Sequence, residues 1–363
     1  LTLEVAVVRA RDRAAQWFLD SGIQEASGGV ARYYRSDWGR NYRVSTEITG
    51  YAASTLAWLH QSVGDARLLE AALRAGRFLL ERAWDAAAGL FPFEYASDGD
   101  YAEPLAYFFD NAIVVRGLLA LWRATGEVEF LRGARRCALR MVEDFRAAEG
   151  FHALLRLPQK EPVRADSSWS RSPGCYHLKA ALAWRELAEA GEARVADLYP
   201  QALAYALATH RQFLPDSHEP AVMDRLHAYC YFLEGLLACP EQPECRQALR
   251  EGLERAQELL EAITPVFERG DVRAQLLRVR VYADALGVSR LGSEEGEREA
   301  ARILEFQSVD GDPRQFGGFR FGRRGGEWLP FINPYTTAFA VQALEMWRAH
   351  RQGSFRPAWQ DLI

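Results

Sequence analysis

Residues 46–84, TEITGYAASTLAWLHQSVGDARLLEAALRAGRFLLERAW, and residues 108–145, FFDNAIVVRGLLALWRATGEVEFLRGARRCALRMVEDF, say nearly the same thing twice. Laid over each other, Leu56 falls on Leu118, Leu59 on Leu121, Gly64-Asp65 on Gly126-Glu127, and Leu69 on Leu131. Ala72 then falls on Ala134, Arg74 on Arg136 and Leu79 on Met141. Each copy reads as helix, Gly-acidic turn, helix. A helical hairpin recurring about every 60 residues is the kind of internal period that decides an architecture.

Outward from this pair the same periodicity continues. Towards the N-terminus a helix covers about Val5 to Asp20, and the aromatic loop GGVARYYRSDWGRNYR (28–43) leads to Ser45 or Thr46 as a helix cap. Between the copies lies a long aromatic loop, 85–110, better suited to a functional rim than to a simple connection. After the second copy, the loop 151–178 leads into further helices around 175–191, 193–214, 225–239, 245–267, 272–288, 296–307 and 335–351. ERGD (268–271) reads as a turn, and the Gly-rich stretch 311–331 as a short β-ribbon. The total is about twelve helices in six hairpins.

Every second helix is poor in charge, as in AASTLAWL, AIVVRGLLAL, AYCYFLEGLLA and TTAFAVQALEMW, while the partners are rich in Arg and Glu. A helix apolar all round is buried on all sides, and an amphipathic one keeps a face in water. Alternation of the two is what an inner and an outer ring require. The expected fold is therefore an all-α (α/α)6 barrel, with residues 1–363 forming one domain, since no linker or composition shift interrupts them.

The bulk composition agrees. A hydrophobic fraction of 49% and 12% aromatic residues supply a large core. A net charge of −5 speaks against nucleic acid as partner. No apolar run approaches the ~20 residues of a membrane span. Five cysteines at irregular spacing read as reduced thiols of a cytoplasmic protein.

In such a barrel the inner-helix N-termini and the long loops share one rim, where helix dipoles and free N–H groups converge on anions. The starts near Thr46, Phe109, Pro173, Asp224, Val272 and Asn333 bring polar residues with them. The catalytic candidates are Asp110, Glu47, His177, His227 and Asp224. The substrate-binding candidates are Trp38, Arg43, Tyr51, Glu94, Asn111, Trp169, Arg171, Tyr176, Arg225, Arg278, Arg314, Asn333 and Tyr335, with Arg280 and Trp328 close behind. Aromatic faces stack on sugar rings, and carboxylates, amides and guanidinium groups bond hydroxyls and acidic substituents. Paired carboxylates support glycoside hydrolysis. Paired histidines or tyrosines on opposite faces of a sugar support epimerisation or elimination. The blander readings are an N-cap for Asp110 and Asp224 and a capping-box member for Glu47. No phosphate loop, nucleophile elbow or dinucleotide fingerprint is present, and no cofactor is implied. Cys175, His177, His227 and Cys230 are the one arrangement with zinc-type residues, although cysteines on buried helices are ordinarily packing.

The turns G-[DE]-x-x-[FL]-L-x-x-A, at Gly64–Ala72 and Gly126–Ala134, resemble those of the (α/α)6-barrel carbohydrate enzymes. That group holds unsaturated glucuronyl hydrolases, N-acylglucosamine 2-epimerases and the helical domain of glucuronyl C5-epimerases. The resemblance covers most of the chain, and its motifs are scaffold motifs. It implies a hydrolase, lyase or epimerase acting on a saccharide; five arginines near the rim add an acidic, uronic-acid-type substrate. In the 2-epimerases two inner-helix histidines act, which His177 and His227 could echo. Gln307 with Gly317–Phe319 is similar to a degenerate repeat of terpene cyclases and prenyltransferases, but no DxDD motif accompanies it. The lanthionine cyclases' zinc pattern is not reproduced. A toroid enzyme of the isoprenoid type and a non-catalytic toroid binding a saccharide or protein are the alternatives.

Overall fold

The computed structural model describes residues 2–95, 104–166 and 168–363, so the middle of the 85–110 loop lies outside the described residues. Among them are twelve α-helices: α1 (Leu3–Asp20), α2 (Thr46–Val63), α3 (Ala66–Phe78), α4 (Phe108–Thr125), α5 (Val128–Asp144), α6 (His177–Glu189), α7 (Leu198–Phe213), α8 (Val222–Leu236), α9 (Pro243–Ile263), α10 (Gly270–Ala285), α11 (Ser293–Leu304) and α12 (Pro334–Arg351). None of these is long and apolar enough to cross a membrane. The chain divides into two compact units, one of Gly22–Arg32 and Asn41–Ala206, the other of Leu1–Ser21, Tyr33–Arg40 and Leu207–Ile363.

The first of these holds the repeat. Gly64 and Gly126 end α2 and α4 at φ 80° and 75°, a conformation that L side chains resist, and their N–H groups donate to His60 and Trp122 carbonyls. Asp65 then caps α3 by accepting from the Arg67 N–H at 2.9 Å. The turn motif is thus one helix stop followed by one helix start. α2 and α4 are buried nearly all round, from Ile48 to Leu59 and from Phe108 to Leu121. Their partners bury a single stripe, Leu68, Ala71, Ala72, Ala75 and Phe78 in α3 and Phe130, Ala134, Cys137, Ala138 and Met141 in α5. α2 and α4 touch backbone to backbone, because a Cβ on Gly117 would stand 2.5 Å from the Gly50 carbonyl oxygen, and one on Gly50 2.9 Å from the Val114 Cα.

The second unit repeats the alternation. α8, α10 and α12 are buried on most sides, whereas α11 buries only Gly296, Ala300 and Ile303. The Gly-rich stretch forms the expected ribbon, Gly322–Arg324 antiparallel to Glu327–Trp328. Gly325 and Gly326 between them have φ 55° and 85°, as a two-residue hairpin turn demands. Residues 268–271 are not a plain turn. Phe267–Arg269 pairs with Gly322–Arg324 as a third strand, and Gly270-Asp271 opens α10. Alternation gave no warning, because this strand is buried on both faces.

Candidate active site

In the first unit α2, α4 and α6 bring their N-terminal ends to one cluster. Ser45 is the cap of α2, accepting from the Ile48 N–H at 3.3 Å, and its own N–H goes to the Val30 carbonyl. Glu47 is therefore not needed as a capping partner. α4 begins at Phe108 after Tyr107, so Asp110 sits inside the first turn rather than at the cap, and its Oδ2 makes no hydrogen bond among the described residues. Asp110 is buried; Glu47 keeps a partial opening to solvent while protein surrounds its carboxyl group. Burial pushes Glu47 up to about 7, against the pull of Arg32 and Lys179. Burial and the nearby Glu47 charge push Asp110 well above the usual carboxylate range, with Arg32 opposing. Both carboxyl groups are thus raised, and burial is the first cause in each case.

Tyrosines and cations frame the pair. Tyr51 follows Glu47 by one helical turn, and the fully buried Lys179 of α6 lies 5.9 Å from its ring centre. Burial raises the Tyr107 hydroxyl, as does Asp110, while a hydrogen bond from Arg171 opposes. Tyr176 is raised well above its usual value by burial and then by Asp110; its hydroxyl donates to the Ser172 carbonyl at 3.0 Å. Trp169 stands edge-on to Tyr176 at 5.1 Å. His177 is packed against Phe108 and Tyr176, and burial lowers it to about 3, so its ring is neutral. Its Nε2 has no hydrogen-bond partner among the described residues. Glu94 is tied to Arg32 at 2.9 Å and Arg43 at 3.2 Å, and Arg32 stacks on Phe93. Asn111 spends its amide on the backbone of Phe91 and Tyr107, which makes it a brace for the loop.

A second cluster lies in the other unit. The His227 Nδ1 of α8 is 2.7 Å from Gln275 Oε1 and 3.0 Å from Asp271 Oδ2, both on α10. Two acceptors at Nδ1 call for a proton there, so Nδ1 is the donor of this cluster. Arg269 forks onto Asp271 at 3.0 and 2.5 Å and reaches Asp224 at 2.6 Å. Burial would raise Asp271, but Arg269 and His227 hold it below the usual carboxylate range. Asp224, in the first turn of α8, is half exposed at 53%. Tyr335 faces His227 at 6.1 Å between ring centres, and the buried Oδ1 of Asn333, which precedes α12, makes no hydrogen bond.

Other candidates go elsewhere. Arg278 is fully buried two turns into α10, bound to Glu234, to Gln342 at 2.9 Å and to the Ile363 carbonyl at 3.0 Å. Arg280 faces α11, on Glu295 at 2.6 Å and on Glu299. Arg225 donates to the Phe213 carbonyl, and Arg314 stacks on Tyr34 at 4.6 Å. Trp38 is exposed beneath Arg35. Burial pushes the Cys175 and Cys230 thiols up, and no group of three metal-type ligands occurs among the described residues. Arg32, Lys179, Arg269, Asp271 and Gln275 were not anticipated. The one usable signal was Arg-Gly-Asp at 269–271, opening a helix.

No protein-family model matches the sequence, and no curated protein does. Solved structures match over nearly the whole chain. A sugar epimerase from a ruminal bacterium has TM-score 0.70 at 13% identity, covering 97% of this chain and 99% of its own. A cellobiose 2-epimerase from Spirochaeta thermophila has TM-score 0.68 at 17% identity, covering 95% and 99%. An unsaturated glucuronyl hydrolase specific for heparin has TM-score 0.64 at 11% identity, covering 97% and 100%. The chain has the (α/α)6-barrel fold of these carbohydrate enzymes.

Proposed function

We propose that this protein is a carbohydrate-active enzyme working on an acidic, uronic-acid-type saccharide by acid–base chemistry, with Asp110 and Glu47 as the reacting pair. The observation that carries the reading is the raised pair itself. Asp110, buried and raised by burial and by the neighbouring Glu47 charge, is the acid that gives a proton to the leaving glycosidic oxygen. Glu47, which Arg32 and Lys179 pull towards ionisation, is the carboxylate that activates water or attacks the sugar. Arg171 and Arg32 supply guanidinium groups for the substrate's carboxylate, and Trp169 and Tyr176 supply ring faces. The fold shared with a heparin-specific glucuronyl hydrolase supports an acidic sugar. We take residues 1–363 to act as one domain, and five buried thiols without disulfides support a cytoplasmic setting.

A second reading rests on His227. An imidazole oriented through Nδ1 by Asp271 can exchange a proton with a sugar carbon, which is epimerase or lyase chemistry. Incubation with acidic disaccharides in D2O separates the two. Release of a reducing end without deuterium in the recovered substrate supports hydrolysis by the carboxyl pair. Deuterium at a sugar carbon without cleavage assigns the chemistry to His227, and an unsaturated product does so for elimination. Inertness towards every acidic saccharide sinks both.

A further inference from the structure

We propose that the surface carrying Trp38 and Trp328 is a docking platform for an anionic polysaccharide chain. The proposal rests on the reading above for the class of sugar and adds that the substrate is a polymer. Trp38 and Trp328 are 48% and 37% exposed, and they are the only tryptophans among the large hydrophobic side chains left to solvent in the described residues. Their segments meet in one strand pairing. Tyr34–Arg35 pairs with Phe331–Ile332, and the Ser36 N–H donates to the Pro330 carbonyl at 3.1 Å, two residues from each tryptophan.

Neither ring is loose. Arg35, gripped by both oxygens of Asp37, lies 3.6 Å over the centre of Trp38 and 5.2 Å from that of Phe331. Trp328 stands edge-on to Phe306 at 5.2 Å on the hairpin closed by Gly325-Gly326. A fixed indole is a low-entropy partner for the C–H face of a sugar ring. Exposed Arg40, 5.3 Å from Trp38, and exposed Arg324, on the hairpin, have no acidic partner among the described residues. Guanidinium forks match carboxylate and sulfate. Both arginines stand beside the tryptophan segments of a chain whose net charge is −5, with Glu327 across the hairpin from Arg324. Strand Phe331–Ile332 runs from the platform straight into α12, whose Tyr335 faces His227. A polymer laid along this strand would run towards the start of α12.

The test uses the full chain on immobilised polygalacturonate, alginate and heparin, with dextran as neutral polymer and oligo(dT) as nucleic acid. Retention on at least one acidic polysaccharide, weakening with salt and absent on dextran and oligo(dT), is expected. Trp38→Ala and Trp328→Ala should each weaken binding about tenfold or more at unchanged melting temperature. Arg40→Ala with Arg324→Ala should flatten the salt dependence. Tryptophan variants that bind like the wild type, equal retention on dextran or oligo(dT), or no retention on any acidic polymer overturn the platform. Cleavage of a short acidic saccharide by a chain that ignores all polymers removes the platform and leaves the proposed function standing. Polymer binding without turnover does the reverse.

Discussion

The Glu47–Asp110 cluster and the His227–Asp271 cluster both bury carboxyl groups at helix starts, and they solve the electrostatic problem in opposite ways. Asp271 has a guanidinium forked onto it and an imidazole beside it, so it is a fixed anion. Asp110 has an acidic neighbour and, among the described residues, no hydrogen bond to Oδ2, so its hold on a proton is strengthened. Burial of a carboxyl group therefore does not decide its role; the charge of what is buried with it does. A compensated carboxylate orients a neighbouring group, and an uncompensated one stores a proton for transfer.

Breaking the first cluster should have the largest effect. Asp110→Asn keeps the shape and removes the transferable proton, so kcat/KM on an acidic disaccharide should fall about 10²–10⁴-fold. A variant within a few-fold of wild type would take Asp110 out of the chemistry. Breaking the second cluster should show in stability instead. Asp271→Asn leaves Arg269 buried without its bidentate partner and should cost about 3 kcal/mol in urea unfolding. An unchanged midpoint would mean that Asp224 alone compensates Arg269.

The pH dependence sharpens the contrast. Glu47 and Asp110 are raised in the folded chain, so their contribution to stability is complete below the unfolded-state carboxyl range. It is lost as pH rises through about 7, where the folded Glu47 ionises. The loss between pH 5 and 8 should be about 1–3 kcal/mol after allowance for solvent at Glu47. The double variant Glu47→Gln, Asp110→Asn should lack this slope, and a slope of equal size in it would assign the effect to other groups. Asp271 is depressed, so its contribution is lost only on acidification. The smallest expected effect is that of Lys179→Met. Without the ammonium, Glu47 rises further, and the acid limb of the kcat/KM–pH profile moves up by about one unit. Rescue of the profile by Lys179→Arg separates a charge effect from a packing one; an unmoved limb would remove Lys179 from the pair.

Much of this was legible in the chain. The Gly-acidic turns, the alternation of charge-poor and charge-rich helices and the Gly-Gly hairpin are local signals, and the structure has all three. That Glu47 and Asp110 stand in first turns was legible, because position at a helix start is also local. What was not legible is which residues from distant helices meet. Lys179 sits in LKAALAW, a stretch that periodicity reads as plain core, and Arg32 in an aromatic loop. Arg278 and Arg280 share a helix with the rim residues, yet depth along the helix sends one to Glu234 and the other to α11. Periodicity assigns a face to a residue, but not its height or its neighbour.

The touching glycines of α2 and α4 bear on how the carboxyl pair can change. Glu47 precedes Gly50 by about one turn and Asp110 precedes Gly117 by about two. At a crossing held by side chains, trimming a methyl group draws two helices together by fractions of an ångström. Here nothing remains to trim, and any added atom collides with backbone. The gap between the two acids is set like a ratchet rather than a screw. It can be reset only by sliding one helix a whole notch along the other, so small drift in sequence leaves it where it is.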